Sequence, residues 1–588
     1  MFDLIVRGGL WFDGTGGDPR IANLGIAGGR VVAASADPLD ETGCPDVVDA
    51  CGKWVMPGFI DIHTHYDAEV LLNPGLGESV RHGITTVLFG CCSMSTVYVE
   101  NDDAADLFSR VEAVPRRHVI GALDRFRDWD GPEGYIECID GLPLGPNVAS
   151  FVGHSDLRTA VLGLGRATDG SVRPTRAEID TMARMLDRAL RAGMLGMSGM
   201  DTQLDKLDGD RYRSRALPST YARWPERWRL VDVLRERCGV LQSAPDIDRP
   251  LTALMFFLAS GTRLFRRERA VPVSLLVSFD TKTARGAHIA LRRLTQWGNT
   301  VLRSDVRFQH LPVPFTLYSD GIDLPVFEEF GAGTAALHLR DQIERNALLA
   351  DEDYRRRFRR ELRGKLFKPS AWNKDFYEAT VVECPDVANV GKSFGRIADE
   401  RGVDPVDAFL DVLVEHGERN VRWTTTLHND REAVLDRMAT YPTVHLGFSD
   451  AGAHLRNMAF YNMPLRFLRR MRDAREAGSP IMSIGHAVHR LTGELGSWFG
   501  LDAGYLRLGD RADLVVIDPH ALDARVDEYH ESPVPFYDGL SRMVNRDDAT
   551  VVATAVGGTV VYRLGRFADG YGETVRTGRY LRHGRYPY

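Results

Sequence analysis

Apolar residues come in short runs near the start of the chain: Leu4-Ile5-Val6, Leu24-Gly25-Ile26 and Val31-Val32-Ala33, separated by glycine-rich turn signals. Runs of this length between turns predict a small antiparallel β unit over 2–57. The same texture returns late, in Leu514-Val515-Val516-Ile517, in the run 551–556 and in Val560-Val561-Tyr562, with Gly557-Gly558 as a turn. Chain ends often lie together in one domain. A single β-sandwich built from 1–57 and 501–588 is therefore expected.

Between the ends, strand-like runs alternate with helical stretches, the pattern of a parallel α/β sheet. The candidate strands are 58–63, 85–91, 147–153, 193–199, 239–244, 271–278, 421–427 and 444–449. That number closes a (β/α)₈ TIM-like barrel over 58–500. A helix is expected over 178–192, capped by Thr175 with Glu178 three residues on, and with Ile179, Met182, Met185, Leu186 and Leu190 at helical spacing. Gly391-Lys392-Ser393 reads as the start of a helix over 394–402, because no glycine-rich phosphate loop precedes it. The stretch between the sixth and seventh candidates is too long for a simple connection. It is expected to hold a helical insertion near 330–390, with 341–364 strongly charged.

Composition narrows the class. The chain has 588 residues, 44% hydrophobic and 26% charged, ordinary for a globular protein of a large barrel plus a companion domain. A net charge of −8 argues against nucleic acid as a partner. The seven cysteines are odd in number and irregular in spacing, which fits a reducing compartment better than a disulfide framework. The first residues lack the pattern of a signal peptide, and no apolar run reaches membrane-spanning length. The expectation is a cytoplasmic protein that engages no membrane, with room for a homo-oligomer.

The chemistry begins at Pro57-Gly58-Phe59-Ile60-Asp61-Ile62-His63-Thr64-His65. Two histidines one residue apart lie on the same side of an extended chain. At the C-terminal end of a barrel strand, where barrel active sites sit, both imidazoles can reach one divalent ion, for which zinc, iron or manganese are suited. A second apolar strand ends in Phe448-Ser449-Asp450-Ala451-Gly452-Ala453-His454. Asp450 at that mouth can bind the metal and act as general base and then general acid; the plainer alternative is a helix N-cap.

These two motifs resemble the amidohydrolase superfamily, and the chain resembles its D-aminoacylase (N-acyl-D-amino-acid deacylase) branch in particular. Val152-Gly153-His154, Leu157-Arg158, Gly193-Met194-Leu195-Gly196-Met197-Ser198, the run 509–518 and Gly578-Arg579-Tyr580-Leu581-Arg582 support the likeness along nearly the whole chain. The resemblance implies a hydrolase of carbon–nitrogen bonds other than peptide bonds, acting on a small-molecule amide. An N-acyl-D-amino acid is the leading substrate. A cyclic amide and a catalytically silent assembly module are the rivals. It also implies a cysteine ligand after the second strand. In Gly90-Cys91-Cys92-Ser93 that position falls to Cys92, with Cys91 the alternative. One or two ions, zinc foremost, would then be held by His63, His65, Cys92 and Asp450.

The branch usually adds histidines at the ends of strands five and six. Here those ends read Gln242-Ser243-Ala244 and Ser278-Phe279-Asp280, with none. Either other residues substitute or the site holds one ion. His154 is a candidate pocket residue or a core histidine. Lys282 and Arg456 are candidates for holding a substrate carboxylate; Lys282 could instead be an ordinary surface lysine or, less in keeping with its position, a carbamylated ligand. His428 belongs either to the site or to a loop.

Overall fold

In the computed structural model, which describes residues 1–584 apart from 109–113, 204, 208, 210, 247–249, 265–266, 340 and 364–371, the interior strands pair in parallel, one after another. Phe59–Asp61 lies beside Ile84–Phe89, which lies beside Asn147–Ser150. Val152–Gly153 continues that third strand and pairs with Gly196–Met200, followed by Val240–Ala244, Pro272–Leu275 and Asp305–His310. Asp305–His310 pairs with Val444–Leu446, and Phe448–Ala451 returns to His63–Thr64, which continues the first strand. The pairings thus come back to where they began. Nearly every residue in these strands is buried, as expected of parallel strands covered on both faces.

The helix Arg176–Ala192 carries the expected capping box, with Thr175 accepting from the Glu178 amide and the Glu178 side chain accepting from the Thr175 amide. Phe394–Arg401 is likewise capped by Ser393.

One expected strand is not in the ring. The seventh strand is Asp305–His310, not 421–427. Arg422–His428 instead pairs antiparallel with Phe315–Asp320 and Thr380–Glu383. Its Trp and Thr residues give it strong β propensity, which an antiparallel sheet outside the ring satisfies equally well. The long connection therefore falls between the seventh and eighth strands. It holds that three-stranded sheet and the helices Gly331–His338, Gln342–Ala350, Glu352–Arg363, Phe394–Arg401 and Pro405–His416. Part of the expected insertion, 364–371 and residue 340, lies outside the described residues.

Strands from both chain ends share one nine-stranded sheet. The junction is Leu514–Ile517, antiparallel to Trp54–Pro57. Leu4, Val6, Leu24, Ile26, Val55, Leu514, Val516 and Ala553 pack in one core there. Trp54–Pro57 runs through Gly58 into Phe59–Asp61, so the sheet anchors the base of the strand that ends in His63. No helix among the described residues is long and apolar enough to cross a membrane.

Candidate metal centre and active site

Four side chains from three ring strands and their turns meet in one buried spot. The two imidazoles of the first strand face each other, Nε2 to Nε2, at 3.2 Å. Cys92 Sγ lies 3.3 Å from His63 Nε2, and donor atoms of His63, His65 and Cys92 all fall within 4.8 Å of one another. Asp450 Oδ1 stands 3.0 Å from His65 Nε2 and 3.5 Å from His63 Nε2.

The backbone is bent to achieve this. Gly90 has φ +73°, and a Cβ there would sit 2.2 Å from the Phe151 carbonyl oxygen, so no larger residue fits the turn after the second strand. Cys92 and Ser93 then adopt φ of +51° and +71°, and Asp450 and His454 adopt +60° and +51°. Left-handed backbone at residues other than glycine costs about 1–3 kcal/mol each and persists where surrounding contacts enforce it. Those contacts are present. The Cys92 amide donates to Gln242 Oε1 (3.2 Å) and the Ser93 amide to Ser198 Oγ (3.0 Å). The Ser449 hydroxyl donates to the Asp61 carboxylate and accepts from the Ala451 amide (3.1 Å).

Gln309 sets the proton on His63. Its Oε1 lies 2.8 Å from His63 Nδ1, while its Nε2 donates to Ser274 Oγ at 3.0 Å. An amide oxygen only accepts, so Nδ1 carries the hydrogen and Nε2 presents a lone pair to the cluster. Burial holds the His63 pKa down at about 3, so the ring is neutral near pH 7. Burial pushes the Cys92 thiol up to about 12 in the absence of a cation. Burial also opposes ionisation of Asp450, but the hydrogen bond from His65 and the neighbouring imidazoles outweigh it and hold the carboxyl well below its usual range. A lone pair, a second imidazole nitrogen, a thiol and a carboxylate converging out of water suit a divalent ion: each is a ligand type zinc accepts, and the site calls for positive charge.

No family model matches the chain. An uncharacterized protein of Mycobacterium tuberculosis is 66% identical over 587 residues, covering 99% of this chain and 96% of that one. The N-acyl-D-aspartate deacylase of Alcaligenes xylosoxydans xylosoxydans is 27% identical over 530 residues, 88% of this chain and 86% of the deacylase. The solved structure of D-aminoacylase, described as defining a novel subset of amidohydrolases, superposes with a TM-score of 0.60 at 22% identity, covering 99% of this chain and 100% of that one. The chain is thus similar to the D-aminoacylase-like amidohydrolases.

In this D-aminoacylase-like chain, Cys92 rather than Cys91 joins the histidines. Cys91 Sγ turns toward the carbonyls of Ile62 and Leu88, both at 3.9 Å, in an apolar cluster. The fifth strand presents Gln242 and the sixth Ser274, each bonded to its neighbours as above, so neutral hydrogen-bonding groups line that side.

The three expected substrate-binding residues all have protein partners. His154 opens the helix His154–Leu162 fully buried, its Nε2 2.7 Å from Glu226 Oε1, with Arg158 on the same carboxylate. Lys282 pairs with Glu378. Arg456 spans Asp320 (3.1 Å) and Glu531 (3.2 Å). His428 is buried among Phe279 and Phe315.

Sequence reading did not single out Gln309, Gln242, Ser274 or His454 as site residues. His454 Nε2 lies 3.6 Å from Asp450 Oδ2 and is partly exposed. The signal for Gln309 was the alternation Val306-Arg307-Phe308-Gln309 in a stretch read as connection.

Proposed function

We propose that this chain is a metal-dependent hydrolase that removes the acyl group from an N-acyl-D-amino acid. The supporting observation is the convergence of His63, His65, Cys92 and Asp450, with the His63 lone pair fixed by Gln309. The deacylase relatives favour this substrate class. In this reading the ring of parallel pairings is the (β/α)₈ barrel over 58–500, and the two-ended sheet, from 1–57 and 501–588, folds as the companion β-sandwich.

His63, His65, Cys92 and Asp450 would hold the ion, zinc foremost. A bound divalent ion supplies a polarised amide carbonyl and a water acidic enough to lose a proton near neutral pH. Asp450, ionised and buried, takes a proton from the attacking water and delivers it to the leaving nitrogen. Gln309 keeps the His63 ring from turning. Lys282, whose partner Glu378 is exposed, can exchange that carboxylate for the substrate's own.

The test is hydrolysis of a panel of N-acetyl-D-amino acids by metal-loaded protein, with hydantoins alongside. Wild type is expected to cleave the N-acetyl-D-amino acids, and Asp450→Asn to lose about 10²–10⁴-fold in kcat when both are assayed with zinc in excess. Equal rates in wild type and variant would remove Asp450 from the reaction; cleavage of hydantoins alone would replace the substrate class.

A further inference from the structure

Aromatic rings run outward from the metal centre along the side where the sixth to eighth strands end. The Phe448 ring lies 5.0 Å from that of His63 and 6.5 Å from that of Phe279. Phe279 contacts Phe315 at 5.0 Å, and Phe315 stacks on Phe460 at 5.4 Å. His428 closes the group, 5.1 Å from Phe279 and 6.0 Å from Phe315. Phe448, Phe460 and His428 are buried, whereas Phe279 and Phe315 are only half-buried. These two therefore carry the exposed part of the wall.

Three features mark this wall as a ligand surface rather than ordinary core. First, its members come from the turns and strand ends around the site: Phe279 follows the sixth strand, Phe315 the seventh, Phe448 lies in the eighth, and Phe460 follows Asp450. Second, His428 is more than nine-tenths buried among these phenylalanines, a polar ring set within an apolar wall. Third, the cations nearby are matched by protein carboxylates: Lys282 by Glu378, Arg285 by Asp430, and Arg431 by Asp280. With Lys282 lent to one substrate carboxylate, Arg285 and Arg431 keep the protein carboxylates they already pair with, so among the described residues a second, side-chain carboxylate meets no ready cation on this side.

We propose that Phe279 and Phe315, backed by Phe448, Phe460 and His428, form a specificity subsite for a large apolar group of the substrate, and that acidic side chains are disfavoured there. The inference rests on the proposed deacylase reading for the identity of the substrate. The apolar group is either the amino-acid side chain or the acyl chain, since both flank the scissile amide.

Binding separates this subsite from the chemistry. Zinc-loaded Asp450→Asn protein is titrated calorimetrically with N-acetyl-D-phenylalanine, N-phenylacetylglycine, N-acetyl-D-aspartate and N-acetylglycine. One of the two aromatic ligands is expected to bind about 10-fold or more tighter than N-acetylglycine and N-acetyl-D-aspartate. The favoured one tells which end of the amide faces the wall. Phe279→Ala and Phe315→Ala in the same background should erase that advantage while leaving N-acetylglycine within about 3-fold; Phe279→Leu and Phe315→Leu, which preserve apolar bulk, should retain part of it. The proposal is overturned by tighter binding of N-acetyl-D-aspartate, by no preference among the four, or by an equal loss for all four in the alanine variants when the leucine variants fold normally. Apolar preference in binding together with no hydrolysis of any N-acyl amino acid by wild type would keep the subsite and refute the deacylase reading.

Discussion

At the scale of single residues, the centre depends on groups that carry no charge. Gln309 touches no substrate in this account, yet it decides which nitrogen of His63 is available. Partners of this kind typically govern metal affinity by about 10–100-fold. Gln309→Leu should weaken metal binding by that order, read by competition with a chelator, while Gln309→Glu, which keeps an acceptor on Nδ1, should recover most of it. Unchanged affinity in Gln309→Leu would show that the tautomer is fixed otherwise. The meeting of His63, His65 and Asp450 was legible, because His-x-His after an apolar strand and an Asp at the end of another have local signatures. Cys92 required the resemblance, and the structure seats it beside the histidines while Cys91 faces the apolar interior. Gln309 and Gln242 were not legible, since their contacts are to residues far off in the chain.

At the scale of elements, the loop after Asp450 is held by a late hairpin, His530–Pro533 with Ser541–Val544. The Met543 amide donates to the Leu455 carbonyl at 2.7 Å, and Arg456 reaches Glu531. The neighbouring Arg542 lies buried against both oxygens of Glu69 at 3.1 Å, next to Tyr66 and Tyr461. Removing one partner of a buried pair strands the other charge, at about 3–5 kcal/mol. Arg542→Met should therefore lower stability by that order in urea unfolding, whereas the double change with Glu69→Gln should lose less; equal losses would mean that the ion pair contributes little. Helix capping was readable from Thr175 and Glu178 because it is local. The seventh strand was not, because Arg422–His428 has the stronger strand composition and only the packing of the ring selects Asp305–His310.

At the scale of the whole molecule, sharing of one sheet by the two chain ends was legible from the repeated texture of short apolar runs. The placement of the long connection was not, since it depended on which run was taken as the seventh strand. Burial also sets a pH dependence. His82 is held down at about 3, and His310 and His428 at about 4, mainly because burial disfavours the charged ring. Their folded pKa values lie below the ordinary value of 6.5, so as pH falls below it the unfolded chain binds protons first. The stability these rings contribute is complete above pH 6.5 and is lost progressively toward pH 3–4. The apparent Tm should fall by roughly 5 °C or more between pH 7 and pH 5. His310→Asn should show a shallower fall; an unchanged profile in the variant would exclude His310 as a source.

His63, His65, Cys92 and Asp450 are proposed to hold a divalent metal. Elemental analysis of the purified protein beside the His63→Ala/His65→Ala double variant tests this proposal most directly. At least one equivalent of divalent metal per chain is expected in wild type, most of it lost in the double variant, with both proteins folded by circular dichroism. A metal-free wild type that takes up no zinc on dialysis, or equal metal content in the two proteins, would contradict it.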